Sequence, residues 1–323
     1  MHGQSVTALV SRTFAWFTVA ATLVFLIGNV LVFGFGMPGL VDMGRTSGNP
    51  QVWMSVGAYV VCLVAAFVYA LRLTGQPLRI DAQQITDIVT FLIRASFWSV
   101  LLVGLADALL SFLRVEGLLP AIMGDQLAQD LGRSRFRGPY VHLPLIALAI
   151  LIAAVTRGLG FIWLALLVVL AELGIVISRF VFSYEQAFQA DLVRFWYAAL
   201  FLFASAYTLT EEGHVRVDVF YASMTQRTRG YVNLIGSVFM GIALSVVILS
   251  LGTWTNASVI IGPLLNFEVS QSGFGMYVKY IMAGFLGVFA ASMLIQFAGY
   301  MLSAVADIKG EPGGRDHLED AMH

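Results

Sequence analysis

Charge is so sparse along this chain that long stretches offer only apolar side chains, and this limits the possible fold more than any motif does. Backbone placed in lipid must satisfy its own hydrogen bonds, so runs of about 20 apolar residues read as helices that cross a bilayer. Charged residues make up 11% of the chain and hydrophobic ones 59%, with a mean hydropathy of +0.84. Soluble proteins carry about 25% charged residues. The expected fold is all-α, a polytopic membrane helical protein. A net charge of −1 argues against a basic, nucleic-acid-seeking surface, so no nucleic acid partner is expected. Cys62 is the one cysteine, which excludes an intramolecular disulfide or a cysteine metal cluster.

The apolar runs and their breaks suggest eight spans: residues 12–35, 53–73, 88–113, 140–156, 161–182, 192–209, 231–254 and 277–304. The first is too long for the apolar core of a cleavable signal and is expected to be retained. Residues 79–87 read as a polar connector, and residues 126–131 as a short surface helix. The fourth run is short. If it only dips into the membrane, the count falls to seven, and Arg133, Arg135 and Arg137 move to the cytoplasmic side, as positive charges prefer. A turn at Gly158-Leu159-Gly160 favours a helical hairpin and therefore eight. The expected organisation is an N-terminal membrane extension (1–157), a four-helix core (158–306) and a charged cytoplasmic tail (307–323).

Polar groups stand out against this background. Asp107 and Glu172 lie inside spans, where a charge costs about 2.5–3.5 kcal/mol on insertion scales. Each has an arginine seven residues on, Arg114 and Arg179, hence on the same helix face. The structural reading is a carboxylate that is neutral or paired; the functional alternative is a coupling site for a proton or sodium ion. Arg179, Asp191 and Arg194 converge on one membrane surface, where an Arg179–Asp191 ion pair would pin the junction of two spans. In residues 211–221, His214, Arg216 and Asp218 alternate with valines, the period of an extended segment with one polar side. Glu211 sits where a helix ends, an uncomfortable place for an acid unless Arg216 or Arg227 folds back on it. His214 and His142 each stand alone in the sequence, so neither suggests a metal site. Small residues at 283, 287 and 291, and more weakly Ser237 and Gly241, would allow close helix contact. No cofactor motif, nucleophile–base pair or phosphate loop is visible, so no enzyme activity is expected.

Three sequence patterns occur in order: Arg179-Phe180-Val181-Phe182 closing one span, Asp191-Leu192-Val193-Arg194-Phe195 opening the next, and Gly213-His214-Val215-Arg216-Val217-Asp218-Val219. Together they resemble the DctQ-type small permease of tripartite ATP-independent periplasmic (TRAP) transporters, over residues 160 to 305. Ala190 stands where that family usually has a second acid, and Phe188 where a tryptophan is common. The resemblance implies a multi-pass protein of the bacterial inner membrane with a cytoplasmic C-terminus. It also implies a large permease and a periplasmic substrate-binding protein as partners, for ion-driven import of an organic acid or similar anion. Arg179, Asp191, Arg194, Glu211, His214, Arg216 and Asp218 would then serve structure or partner contact. The competing expectation is a self-sufficient carrier or channel using Glu172 and Asp107.

Overall fold

Eight helices are long and apolar enough to cross a membrane in the computed structural model, which describes residues 6–40, 50–73, 75–157, 161–210, 221, 223–270 and 274–313. In chain order they begin with α1 (Val6–Asn29, prolonged by a π turn, Val30–Gly34), α2 (Pro50–Arg72) and α3 (Leu78–Val115). Short α4 (Leu119–Met123) and α5 (Asp125–Leu131) precede α6 (Ser134–Arg137), which winds through a π turn, Gly138–His142, into α7 (Leu143–Val155). Then come α8 (Phe161–Phe182), α9 (Ala187–Thr210) and α10 (Gln226–Ile235), the last continuing through a π turn, Gly236–Ile242, into α11 (Ala243–Gly252). Short α12 (Ile261–Asn266) and the long α13 (Lys279–Lys309) complete the order. No strand occurs among the described residues.

Several span ends shift by about five residues from the sequence reading, and two differences bear on packing. Residues 79–87 are not a connector but the first turns of α3, a 38-residue helix about 57 Å long at about 1.5 Å per residue. Leu78, Ala82, Ile85 and Val89 are all buried, and their three-and-four spacing is that of one helix face. The polar residues between them hid that stripe from a hydropathy reading. The fourth span is also longer than expected, running helically from Ser134 to Val155 over 22 residues. Pro139 and Pro144 lack the amide hydrogens a continuous α-helix would use, and the helix widens into a π turn, Gly138–His142, around the first of them.

Helix contacts divide the chain into two compact units, one assembled from Met1–Val89, Leu209–Leu249 and Ala290–His323, the other from Thr90–Thr208 and Ser250–Phe289. In the first, α1 packs on α2, and Arg12 is buried against Asp81 at 2.8 Å. Arg12 also donates to the carbonyls of Leu73 and Gln76, just past the end of α2, while Trp16 donates to Asp81. A cation at a helix C-terminus meets the negative end of its dipole, so one guanidinium closes α2 and holds the start of α3 to α1. Arg79 reaches Asp307 at 2.6 Å, and Gln226 also donates to Asp307. The beginnings of α1, α3 and α10 and the end of α13 therefore lie at one membrane surface. A chain whose first and last spans begin and end on the same surface crosses an even number of times, which supports eight spans over seven.

Close approach of α10 to α13 depends on Gly230. A Cβ there would lie 2.9 Å from the Ala304 carbonyl oxygen and 3.1 Å from the Ile308 nitrogen, backbone atoms that cannot swing aside. Gly230→Val is expected to destabilise the fold by about 1–3 kcal/mol through overpacking, seen as an earlier thermal melt in detergent. Gly241, from the weaker small-residue pattern, is tighter than expected: its Cβ would fall within the Phe297 ring envelope.

The second unit has an aromatic core. Phe285 lies 5.1 Å from Phe195 and 5.0 Å from Phe203, centroid to centroid, with Phe97, Trp196 and Leu164 buried around them. Trp196 satisfies its indole N–H on the Val100 carbonyl. Gly287, in the predicted small-residue ridge, rests against Ile260.

Candidate functional site

Within the second unit, polar chemistry gathers on the short segment that leads into α13. Asp107, fully buried on α3, accepts from Arg137 Nη1 at 2.7 Å and from the backbone N–H of Tyr277 at 2.7 Å. Asp191, on α9, accepts from the neighbouring N–H, that of Met276, at 3.0 Å and from the Ser270 hydroxyl at 3.2 Å. Two carboxylates from different helices thus hold consecutive amides. Arg114 donates to the Gly275 carbonyl one residue earlier. Charge-assisted bonds of this kind are roughly twice as strong as neutral ones, and negative charge at the start of α13 also suits the helix dipole.

Around Asp107 the network closes on itself. Arg137, also fully buried, donates to the Leu131 carbonyl and the Ser111 hydroxyl. Arg114 and Arg137 both lie over the Tyr277 ring, each 4.5 Å from its centroid. His142, the last residue of the π turn, stands between Asp107 at 3.1 Å and the Tyr280 hydroxyl at 2.7 Å. The tautomer assignment follows from the partners: Nε2–H donates to Asp107, and Nδ1 accepts from Tyr280 O–H. That tautomer satisfies both partners of the ring, and the Asp107–Arg137 pair balances its own charge. Gly138 makes this approach possible, since any Cβ would penetrate the Phe267 ring. The arrangement suits a lock between α3, the α6–α7 bend and α13. The Asp107 carboxylate oxygens are occupied by protein donors, and no group of three or more metal-ligating side chains occurs among the described residues.

The site residues anticipated from sequence separate into three sets. Asp107 and Asp191 come together on residues 276–277, Asp107 paired with Arg137 and His142 rather than Arg114. Arg194 lies beside Asp191 at 3.6 Å. The expected Arg179–Asp191 pair does not form: Arg179 reaches Glu185 at 3.4 Å, both side chains well exposed. The turn from α8 to α9 instead brings Arg179 and Glu185 together, with Ser183 in left-handed backbone and Tyr184 donating to Glu116. Burial and then the Glu116 contact push the Tyr184 phenol up to about 12, keeping it a donor at neutral pH.

Glu172 is exposed near the middle of α8, with no hydrogen bond or ion pair among the described residues. Only 6% of the most apolar stretch of α8 is buried, against 44% in α13. Leu164 is buried and Leu167, Val168 and Ala171 pack inward; Val169 and Val176, on the flank shared with Glu172, are exposed. Glu211, His214, Arg216 and Asp218, with the proposed folding back of Arg216 or Arg227, lie outside the described residues.

Sequence reasoning missed Arg137, His142, Tyr280 and the Arg12–Asp81 pair. Arg137 read as positive-inside charge, but buried against Asp107 it is not a free surface cation, and Arg133 lies 3.4 Å from Asp130. The available signal was a buried acid in α3 matched by a histidine and an arginine at the start of the next span.

Residues 164–307 match the family described as tripartite ATP-independent periplasmic transporters, DctQ component. The match covers α9 to α12, nearly all of α8 and α13, and none of the helices before them. Neither a curated protein nor a solved structure matches the chain.

Proposed function

We propose that this chain, a multi-pass helical membrane protein whose residues 164–307 match the DctQ component of TRAP transporters, is the static small permease of such a system. In this reading a large permease binds solute and coupling ion, a periplasmic binding protein delivers the solute, and this chain holds the moving permease in the bilayer. The cargo class is an organic acid or similar anion, imported by sodium-driven symport across the inner membrane. Residues 158–306 form the family core, with 1–157 an added membrane unit and 307–323 a cytoplasmic tail.

One observation carries the reading: the buried charges of the spans are tied to each other, and the unneutralised carboxylate faces outward. Asp107 with Arg137, and Arg12 with Asp81, are internal pairs. A carrier would instead present polar groups from broken helices to a mid-membrane cavity. Glu172 faces away from the protein on its least covered span, as a contact for a partner would. Family-like residues on the α8–α9 turn and in 211–221 (Arg179, Asp191, Arg194, Glu211, His214, Arg216 and Asp218) supply anchoring at the membrane surface on either end of α9. The C-terminus is assigned to the cytoplasm because Arg227, Arg229 and Lys309 gather at its surface, while residues 255–275 carry no Lys or Arg.

The test is transport by the isolated chain. Vesicles holding this protein alone should show no cation-driven uptake of charged metabolites, and uptake should appear only with the large permease present. Uptake by the chain alone would favour the carrier reading instead. Charge reversal at Arg216 or Asp218 is expected to reduce co-purification of the large permease; unchanged recovery would remove residues 211–221 from the contact.

A further inference from the structure

A groove of about 510 Å³ runs along the second unit between α3, α7, α9, α12 and α13, and its lining is almost wholly apolar. Three side-chain hydroxyls line it, and each is already committed. Ser96 and Ser99 donate to the Leu92 and Ala95 carbonyls of their own helix, and Tyr280 donates to His142. The lining therefore offers a polar solute no unpaired hydroxyl proton and no charged group. Phe91, Leu143 and Ile150 on the rim are substantially exposed, so the groove opens outward, where a bilayer places acyl chains.

One end of the groove is basic. On α7 the lining residues Leu143, Ile146 and Ile150 follow one helical stripe that runs towards the C-terminal end of the helix. Arg157 is exposed just past the end of α7. Arg94, on α3, uses Nη1 for both the Ala153 and Thr156 carbonyls, leaving Nη2 and Nε without a bond among the described residues. An acyl chain laid along α7 towards its C-terminal end would bring its phosphate towards these two guanidinium groups.

We propose that this groove is a seat for one anionic phospholipid, its acyl chain along α3, α7 and α13 and its headgroup at Arg94 and Arg157. Moving a chain from bulk lipid into an apolar groove gains little, because lipid is equally apolar, so selectivity rests on the headgroup. A basic residue near the surface is worth about five-fold in affinity for an anionic headgroup. The assignment stands independently of the transporter reading, since it uses only the groove and its two arginines.

Native mass spectrometry of the purified chain, titrated with phosphatidylglycerol or phosphatidylethanolamine of identical chains, tests the seat. One phosphatidylglycerol is expected to survive conditions that strip the rest, with at least about five-fold preference over phosphatidylethanolamine. Gly284 lines the groove, and a Cβ there would meet only Leu264 Cδ2, at 3.8 Å. Gly284→Leu, and independently Ser99→Leu, should fill the groove and abolish the retained lipid. Arg157→Gln should keep the lipid but lower the headgroup preference about five-fold. Equal retention of the two lipids, or retention unchanged in a folded groove-filling variant, overturns the assignment. So does a partner helix cross-linking into the groove in place of lipid. If both filling variants fail to fold, Arg157→Gln decides alone, and an unchanged preference overturns the proposal.

Discussion

Asp107→Ala is expected to destabilise the protein by about 3–5 kcal/mol, because removing one member of a buried ion pair leaves the other charge without compensation. The residue left behind is Arg137, fully buried, whose Nη2 already lacks a partner. Tyr277 N–H and His142 lose their acceptor in the same step. Arg137→Met should be comparably severe, stranding the carboxylate. The pair of changes Asp107→Leu with Arg137→Met removes both charges and should recover a large part of the loss, because a buried pair replaced by apolar residues of similar volume is often neutral. Thermal unfolding in detergent of the three variants measures this. If the double variant is no more stable than either single one, the pair does not act as the closed lock described here. A carrier using Asp107 as an ion site makes a different prediction: Asp107→Asn would be tolerated in folding and would change ion dependence of flux.

Glu172→Lys has the second largest expected effect, and on assembly rather than folding. The carboxylate lies about half-way along a 22-residue helix, hence near the bilayer centre, and is exposed there. Held charged in lipid it would cost about 2.5–3.5 kcal/mol; a cation or donor on an apposed helix would offset this. Reversing its sign sets like charges together, which costs several kcal/mol. Recovery of the large permease should fall at least about tenfold, equivalent to about 1.4 kcal/mol, while the melt of the isolated chain stays put. Glu172→Gln, which removes attraction without adding repulsion, should fall between. Full assembly of the lysine variant would move the contact off this face. Loss of flux in the glutamine variant with assembly intact would make Glu172 a coupling residue.

What could be read directly from the residues was whatever depends on composition along one helix. Eight apolar runs specify an all-α membrane protein because lipid leaves a backbone no other partner for its hydrogen bonds. The family-like patterns around residues 179–182 and 191–195 point to the matched segment for a related reason: they are contiguous and local. The first turns of α3 were missed because hydropathy averages over faces, and a stripe of Leu78, Ala82, Ile85 and Val89 vanishes among polar neighbours.

The pairing of the buried charges was decided by tertiary structure alone. From Asp107, the sequence offers Arg114 as the natural partner, seven residues on; the fold chooses Arg137, thirty residues on, because the end of α6 and the π turn after it bring Arg137 and His142 into the same buried space. Asp191 likewise reaches the amide of Met276 rather than Arg179. A charge inside a membrane must find a partner wherever helix packing brings one, and packing depends on contacts between spans far apart in the chain. Local periodicity can say that Asp107 needs a partner; only the arrangement of α3, α7 and α13 in space says which.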